Sequence, residues 1–254
     1  MSARSILPAF LLLLLAMAPA ARGAEVRVAV AANFSEPMKK IAGDFEKTSG
    51  HKAVLISGAT GRFYAQIRAG APFDVLLAAD DETPAKLVQE ANALPASRFT
   101  YAIGRLVLWS ASETTVDTEG TVLKRNAFDR LAIANPRLAP YGSAAMETLK
   151  SLGLHDTLAA KVVQGENIAQ TYQFVASGNA ALGFVALSQV ITADGRVESG
   201  SMWIVPDTHY RQIRQDAVLL EHGRNNLAAQ ALLQYLKGDF ARSVIAAGGY
   251  RLDR

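Results

Sequence analysis

Cysteine is absent from this 254-residue chain. No disulfide can form and no thiolate can ligate a metal, so stability must come from burying apolar surface, which a chain of this length can do. The absence also removes the acceptor for lipid attachment near a mature N-terminus. A charge excess of one sign is missing as well: 26 lysines and arginines stand against 23 acidic residues. Such a balance leaves no electrostatic footprint for nucleic acid or for an anionic membrane. His51, His155, His209 and His222 are scattered with no His-x-x-x-His pair, which gives a zinc site little support. Neither a Gly-x-Ser-x-Gly elbow nor a Gly-x-x-x-x-Gly-Lys-Ser/Thr loop occurs, so the two commonest signatures of acyl and phosphoryl chemistry are lacking. No period of 20–50 residues and no low-complexity run is visible.

Long hydrophobic runs are equally scarce. The one candidate, Ile6 to Ala18 with Leu11 to Leu15 at its centre, is shorter than the roughly 20 apolar residues of a spanning helix, and Pro8 and Pro19 bracket it. Preceded by Arg4 and followed by Ala21-Arg22-Gly23, it has the order of a secretory signal cleaved after Gly23, with Ala20 and Ala24 as alternative sites. Removal of residues 1–23, which hold Arg4 and Arg22 and no acid, leaves 24 basic against 23 acidic side chains. The expected product is an unlipidated, soluble monomer in a periplasm.

Beyond the signal, strand and helix patterns alternate. Val26–Val30 reads as a first strand buried on both faces. Phe34, Met38, Ile41 and Phe45 then fall at helical spacing, with Asn33 and Glu36 as a capping-box-like start and Pro37 in the first turn. Ala53–Ile56 reads as a strand, Ser57–Gly61 as a tight loop, Phe63–Ala69 as a short helix, Phe73–Ala78 as a strand and Pro84–Ala91 as a helix. This alternation implies parallel βαβ units. Tyr101–Trp109 is long enough to cross into a second lobe, where Leu131–Ala134, a helix from about Ser143 to Leu152, a helix from Ile168 to Ser177 and the strand Ala181–Ala186 follow. Met202–Val205, Ala217–Leu220 and the helical sequence from Leu227 to Phe240 are read as returning to the first lobe. The expected architecture is α/β: two mixed or parallel sheets flanked by helices, with residues 24–103 plus 197–254 forming lobe 1 and 104–196 forming lobe 2. A cleft between such lobes, at the carboxyl ends of parallel strands, is where a small ligand sits.

Asp80-Asp81-Glu82 is an acidic run just before Pro84, and it reads as capping and solvating the third helix. The polar, uncharged turns Ala32-Asn33 and Ser57–Gly61 carry more information. Helix N-termini present unpaired N–H groups and partial positive charge, so two such turns could cage an anion without a lysine or arginine. Each turn alone reads as an ordinary helix cap or tight turn; their pairing at equivalent ends of adjacent βα units shifts the reading toward binding.

The mature chain resembles the periplasmic molybdate-binding proteins of ABC transporters. The resemblance is carried by Val30–Phe34, Ser57–Ile67, Ala69–Val75, Asn135-Pro136 with Ala139–Gly142, Glu166–Gln170 and Gly183–Ser188. It implies a two-lobed periplasmic binding protein fold of type II and a non-catalytic role: capture of molybdate or tungstate and delivery to a membrane ABC transporter. The implied ligand donors are Ala32, Asn33, Thr60, Tyr141 and the Ile168 amide, with no cofactor and no metal. The chain departs from some members at Ala186, where they place a tyrosine hydroxyl. Arg62 is expected to point outward. The alternatives are a binding protein for sulfate, phosphate or a small organic anion, or a hydrolase or transferase on the same scaffold, since fold does not fix function.

Overall fold

A computed structural model describes residues 23–192 and 194–253. The expected signal segment, residues 1–23, lies outside the described residues except for Gly23. The first stretch of chain forms β1 (Glu25–Ala31), α1 (Ser35–Ser49), β2 (Lys52–Gly58), α2 (Thr60–Arg68), β3 (Val75–Leu77), α3 (Glu82–Gln89) and β4 (Phe99–Gly104). The second contributes β5 (Leu106–Ser110), α4 (Val122–Arg125), β6 (Leu131–Ala134), α5 (Pro140–Ser151), α6 (His155–Leu158), β7 (Val162–Gly165), α7 (Ile168–Ala176), β8 (Leu182–Ala186) and β9 (Ser201–Ile204). The chain closes with β10 (Ile213–Leu219), α8 (Leu227–Tyr235) and α9 (Asp239–Ala247).

Two mixed sheets result, with strand orders β2-β1-β3-β10-β4 and β7-β6-β8-β5-β9. In each the pairs led by β1 or β6 are parallel, while β10 and β5 run antiparallel to their neighbours. Both faces of each sheet are covered. Val26, Val28 and Val30 of β1 enter one apolar cluster and Ala29 another; Leu106 and Leu108 of β5 likewise separate from Val107 and Trp109. That two-sided burial explains why these strands read as continuous apolar runs and not as alternating ones.

The long run Tyr101–Trp109 breaks at Arg105, and its halves join different sheets. The return crossing differs from the expectation of residue 197. β9 pairs with β5 through Val107↔Ile204 to Ser110↔Ser201, so the chain stays in the second lobe until about Val205 and re-enters the first at β10. An apolar strand reads the same in either sheet, and only its hydrogen-bonding neighbour assigns it. Two helices also begin earlier than their apolar spacing suggests: α2 at Thr60, and α5 at Pro140, whose missing N–H is tolerated in a first turn.

Register aligns the turns that follow these strands. Ala31 of β1 is level with Gly58 of β2, and Ala134 of β6 with Gly165 of β7. The segments that follow these strands therefore emerge side by side in each lobe, at the carboxyl ends of parallel strands.

Candidate functional site

Where the two lobes meet, a cavity with an empty volume of about 210 Å³ is lined by residues following β1 (Ala32, Asn33), β2 (Ala59, Thr60), β3 (Ala79), β6 (Ala139, Pro140, Tyr141) and β7 (Asn167, Ile168), with Ala31 and Gly58 at the strand ends. The enclosed space is small, on the scale of an ion and not of an organic ligand. All five residues singled out in the sequence, Ala32, Asn33, Thr60, Tyr141 and Ile168, are brought together here. Thr60, Tyr141, Asn33 and Ile168 are all buried.

No lining side chain is charged. The walls instead present the starts of the helical segments that lead into α1, α2, α5 and α7. Thr60 and Ile168 occupy the first position of their helices and Tyr141 the second. Amides there have no intrahelical acceptor and carry the positive end of the helix dipole. In α7 the Asn167 side chain takes the next two amides, accepting from Ala169 and Gln170 at 3.0 Å each, and leaves the Ile168 N–H outside that cap.

The Thr60 hydroxyl has a set polarity. Its oxygen accepts the Ala79 N–H at 2.9 Å, so its own hydrogen is available to an acceptor in the cavity. Tyr141 is arranged in the same way, with its oxygen accepting from Gln215 Nε2 at 3.2 Å. Burial pushes the Tyr141 hydroxyl well above its ordinary value, with nearby tyrosines adding to the effect, so it remains protonated and able to donate.

Asn33 departs from expectation. It is no helix cap: α1 is preceded by a short 3-10 turn, Ala32–Phe34, and neither start has a side-chain cap, while Glu36 pairs with Lys39. The Asn33 side chain turns inward, donating from Nδ2 to Gln215 Oε1 at 2.8 Å and to the Tyr250 hydroxyl at 3.0 Å. Its Oδ1 is buried without a protein partner.

The lobes are in direct contact around the cavity. Gly61 N–H donates to Leu138 O at 2.8 Å, and a Cβ at Gly61 would lie only 3.0 Å from Leu138 Cα, so glycine permits this approach. Ser188 Oγ donates to Asn33 O at 3.0 Å. Arg62 does not line the cavity; it reaches across the rim to Glu166 at 2.9 Å, with both side chains mostly exposed. Asp80 accepts from the Thr83 amide and hydroxyl in the first turn of α3, while Asp81, at the cap position, makes no side-chain cap. Asp81 and Glu82 engage Arg211, whose amide donates to Glu147 Oε2 in the second lobe at 2.7 Å. Among the described residues no group of three or more His, Asp or Glu side chains could hold a metal ion.

Sequence reasoning missed Ala79 and Asn167, which fix the donors, and the buried Tyr101, Gln215 and Tyr250 behind the cavity. Asn167 could have been found, since it precedes a helical pattern as a cap does. Nothing in the sequence marks Gln215, a single polar residue in a strand.

A family model described as bacterial extracellular solute-binding protein matches residues 26–251. The chain is 58% identical over 236 residues to the "Molybdate-binding protein ModA" of Azotobacter vinelandii, covering 93% of each chain. To the protein of the same name from Rhodobacter capsulatus it is 50% identical, covering 91% of this chain and 90% of that one. Among solved structures, the Azotobacter vinelandii periplasmic molybdate-binding protein superposes with a TM-score of 0.88 at 43% identity, over 90% of this chain and 100% of that one. The two lobes with their mixed sheets are thus the type II periplasmic binding fold, and the chain belongs to the bacterial extracellular solute-binding protein family.

Proposed function

We propose that the cavity holds one fully deprotonated tetrahedral oxyanion, molybdate or tungstate, which the protein captures in the periplasm and delivers to a membrane ABC transporter without chemical change. The observation that carries this reading is the donor set. Amides at Ala32, Asn33 and Ile168 and hydroxyls at Thr60 and Tyr141 surround a space with no charged side chain, and both hydroxyl oxygens already accept a hydrogen bond. Such a wall attracts an anion through aligned N–H and O–H groups and helix dipoles. The names of the relatives identify the anion that this chemistry fits. Tyr141 supplies a hydroxyl from the second lobe, and Ala186, a buried strand residue, offers none.

The site should discriminate by protonation and by size. Near neutral pH molybdate, tungstate and sulfate carry no proton, whereas phosphate retains at least one P–OH. That hydrogen would find only Asn33 Oδ1 as a side-chain acceptor without a protein partner, and burying it unpaired costs about 1–3 kcal/mol. Sulfate has shorter bonds to oxygen, and donors fixed on helix starts of two lobes would stand too far from it. The expected order is molybdate and tungstate, then sulfate, then phosphate. Competition calorimetry at neutral pH tests this: sulfate or phosphate displacing molybdate at equal concentration overturns the ligand assignment.

Periplasmic delivery rests on the Arg4-led apolar segment and the absence of cysteine. Release of an unlipidated protein beginning near Ala24 on osmotic shock is the expected result, and recovery in the membrane fraction with residues 1–23 attached would exclude it.

A further inference from the structure

Gln215 is completely buried on β10, two residues after the chain re-enters the first lobe. Its side chain makes contacts in both directions. Oε1 accepts from Asn33 Nδ2 at 2.8 Å and shares the single Tyr101 hydroxyl hydrogen, 3.0 Å away, with Ala78 O at 2.9 Å, all in lobe 1. Nε2 donates to the Tyr141 hydroxyl of lobe 2 at 3.2 Å. Two local devices serve this placement. The β10–β4 ladder shifts register between Gln215 and Asp216, which pair with Ala102 and Thr100, so Tyr101 of β4 is the extra residue of a bulge beside Gln215. At the end of β4 stands Gly104, where a Cβ would lie 2.2 Å from the Tyr141 oxygen and 2.6 Å from Gln215 Nε2. Only glycine leaves room for the Gln215–Tyr141 contact.

We propose that Gln215 is a positioning residue that sets the polarity of the Tyr141 hydroxyl and thereby couples the anion donors of the two lobes. The inference rests on the cavity being the oxyanion site. Asn33 Nδ2 can only donate, so the Gln215 oxygen faces lobe 1 and its NH₂ group faces Tyr141. The Tyr141 oxygen is then an acceptor toward Gln215, and its single hydrogen is left for the anion. Because Gln215 belongs to lobe 1 and Tyr141 to lobe 2, the donor reaches this state when the lobes close. An acceptor in place of the NH₂ group would draw the hydrogen away from the ligand.

A double-mutant cycle with molybdate as the probe tests this, using wild type, Gln215→Met, Tyr141→Phe and the double variant. Each single change should weaken binding by about tenfold to a hundredfold, the effect of losing one hydrogen bond to a charged acceptor. If Gln215 acts through Tyr141, the double variant should bind nearly as well as the weaker single one. Losses that multiply overturn the proposal, as does wild-type affinity in Gln215→Met. Should the methionine variant not fold, Gln215→Glu runs through the same cycle. Glutamate keeps the acceptor toward Asn33 and Tyr101, and as a carboxylate it turns only the Tyr141-facing atom from donor to acceptor. Its affinity should recover as pH falls and the carboxyl regains a proton; no recovery overturns the proposal. Wild type that fails to bind molybdate at all would instead strike the underlying reading of the cavity, and this inference with it.

Discussion

Replacing Thr60 by valine keeps the branched shape of the side chain and removes its hydroxyl, and the structure separates two consequences. The first concerns the ligand. Thr60 Oγ1 accepts the Ala79 amide and so has its hydrogen free for the anion, and a hydrogen bond to a charged acceptor contributes about 1.5–3 kcal/mol, or roughly tenfold to a hundredfold in affinity. The second concerns the fold. Thr60 is only 1% exposed, so the Ala79 N–H would be left buried without an acceptor, at a cost of about 1–3 kcal/mol. In a chain of this size that should lower the melting temperature of the unliganded protein by roughly 2–10 °C. Thr60→Ser restores the hydroxyl and should bring both quantities back close to wild type. Isothermal calorimetry with molybdate and calorimetric melting without ligand read the two effects independently. Valine-variant affinity equal to wild type would refute the donor role. A serine variant that binds as weakly as the valine variant would show that the hydroxyl alone is not enough and that the methyl group is needed to hold it in place.

Two further outcomes are expected. Arg62→Ala breaks the ion pair to Glu166 that spans the lobes at the rim; both side chains are mostly exposed, so molybdate should be released faster but affinity should fall by no more than about fivefold, and less in high salt. A hundredfold loss in stopped-flow or calorimetric measurements would mean that Arg62 touches the ligand. As to pH, burial raises the Tyr101, Tyr141 and Tyr250 hydroxyls above their ordinary value, so the folded state prefers them protonated. Their contribution to stability is complete below the unfolded value of about 10 and declines as pH rises beyond it. Affinity should accordingly stay flat between about pH 6 and 9, and a decline centred near pH 8 in calorimetric titrations would show that some other group controls the site.

What the sequence determined by itself is local. Apolar residues at helical spacing from Phe34 to Phe45, and the unbroken runs Val26–Val30 and Leu131–Ala134, are consequences of which faces are buried, and burial leaves its period in the chain. The turns after β1 and β2 were legible for the same reason: a polar, uncharged segment between a strand and a helix has few physical uses, and a match to a known family separated them. Only the tertiary structure decided what lies opposite. β9 is apolar whichever sheet it joins, and its pairing with β5 was settled by a hydrogen-bonding neighbour that periodicity does not encode. Asn33 has the sequence signature of a cap, yet it lies inside the 3-10 turn before α1, whose cap position is Phe34, and its NH₂ group donates to Gln215, 182 residues away. Arg62 could have entered the cleft until Glu166 appeared across the rim. A hydrogen bond imposes distance and direction on two groups but no spacing on the residues between them, so five residues that line the cavity could be named from the sequence while the groups that orient them could not.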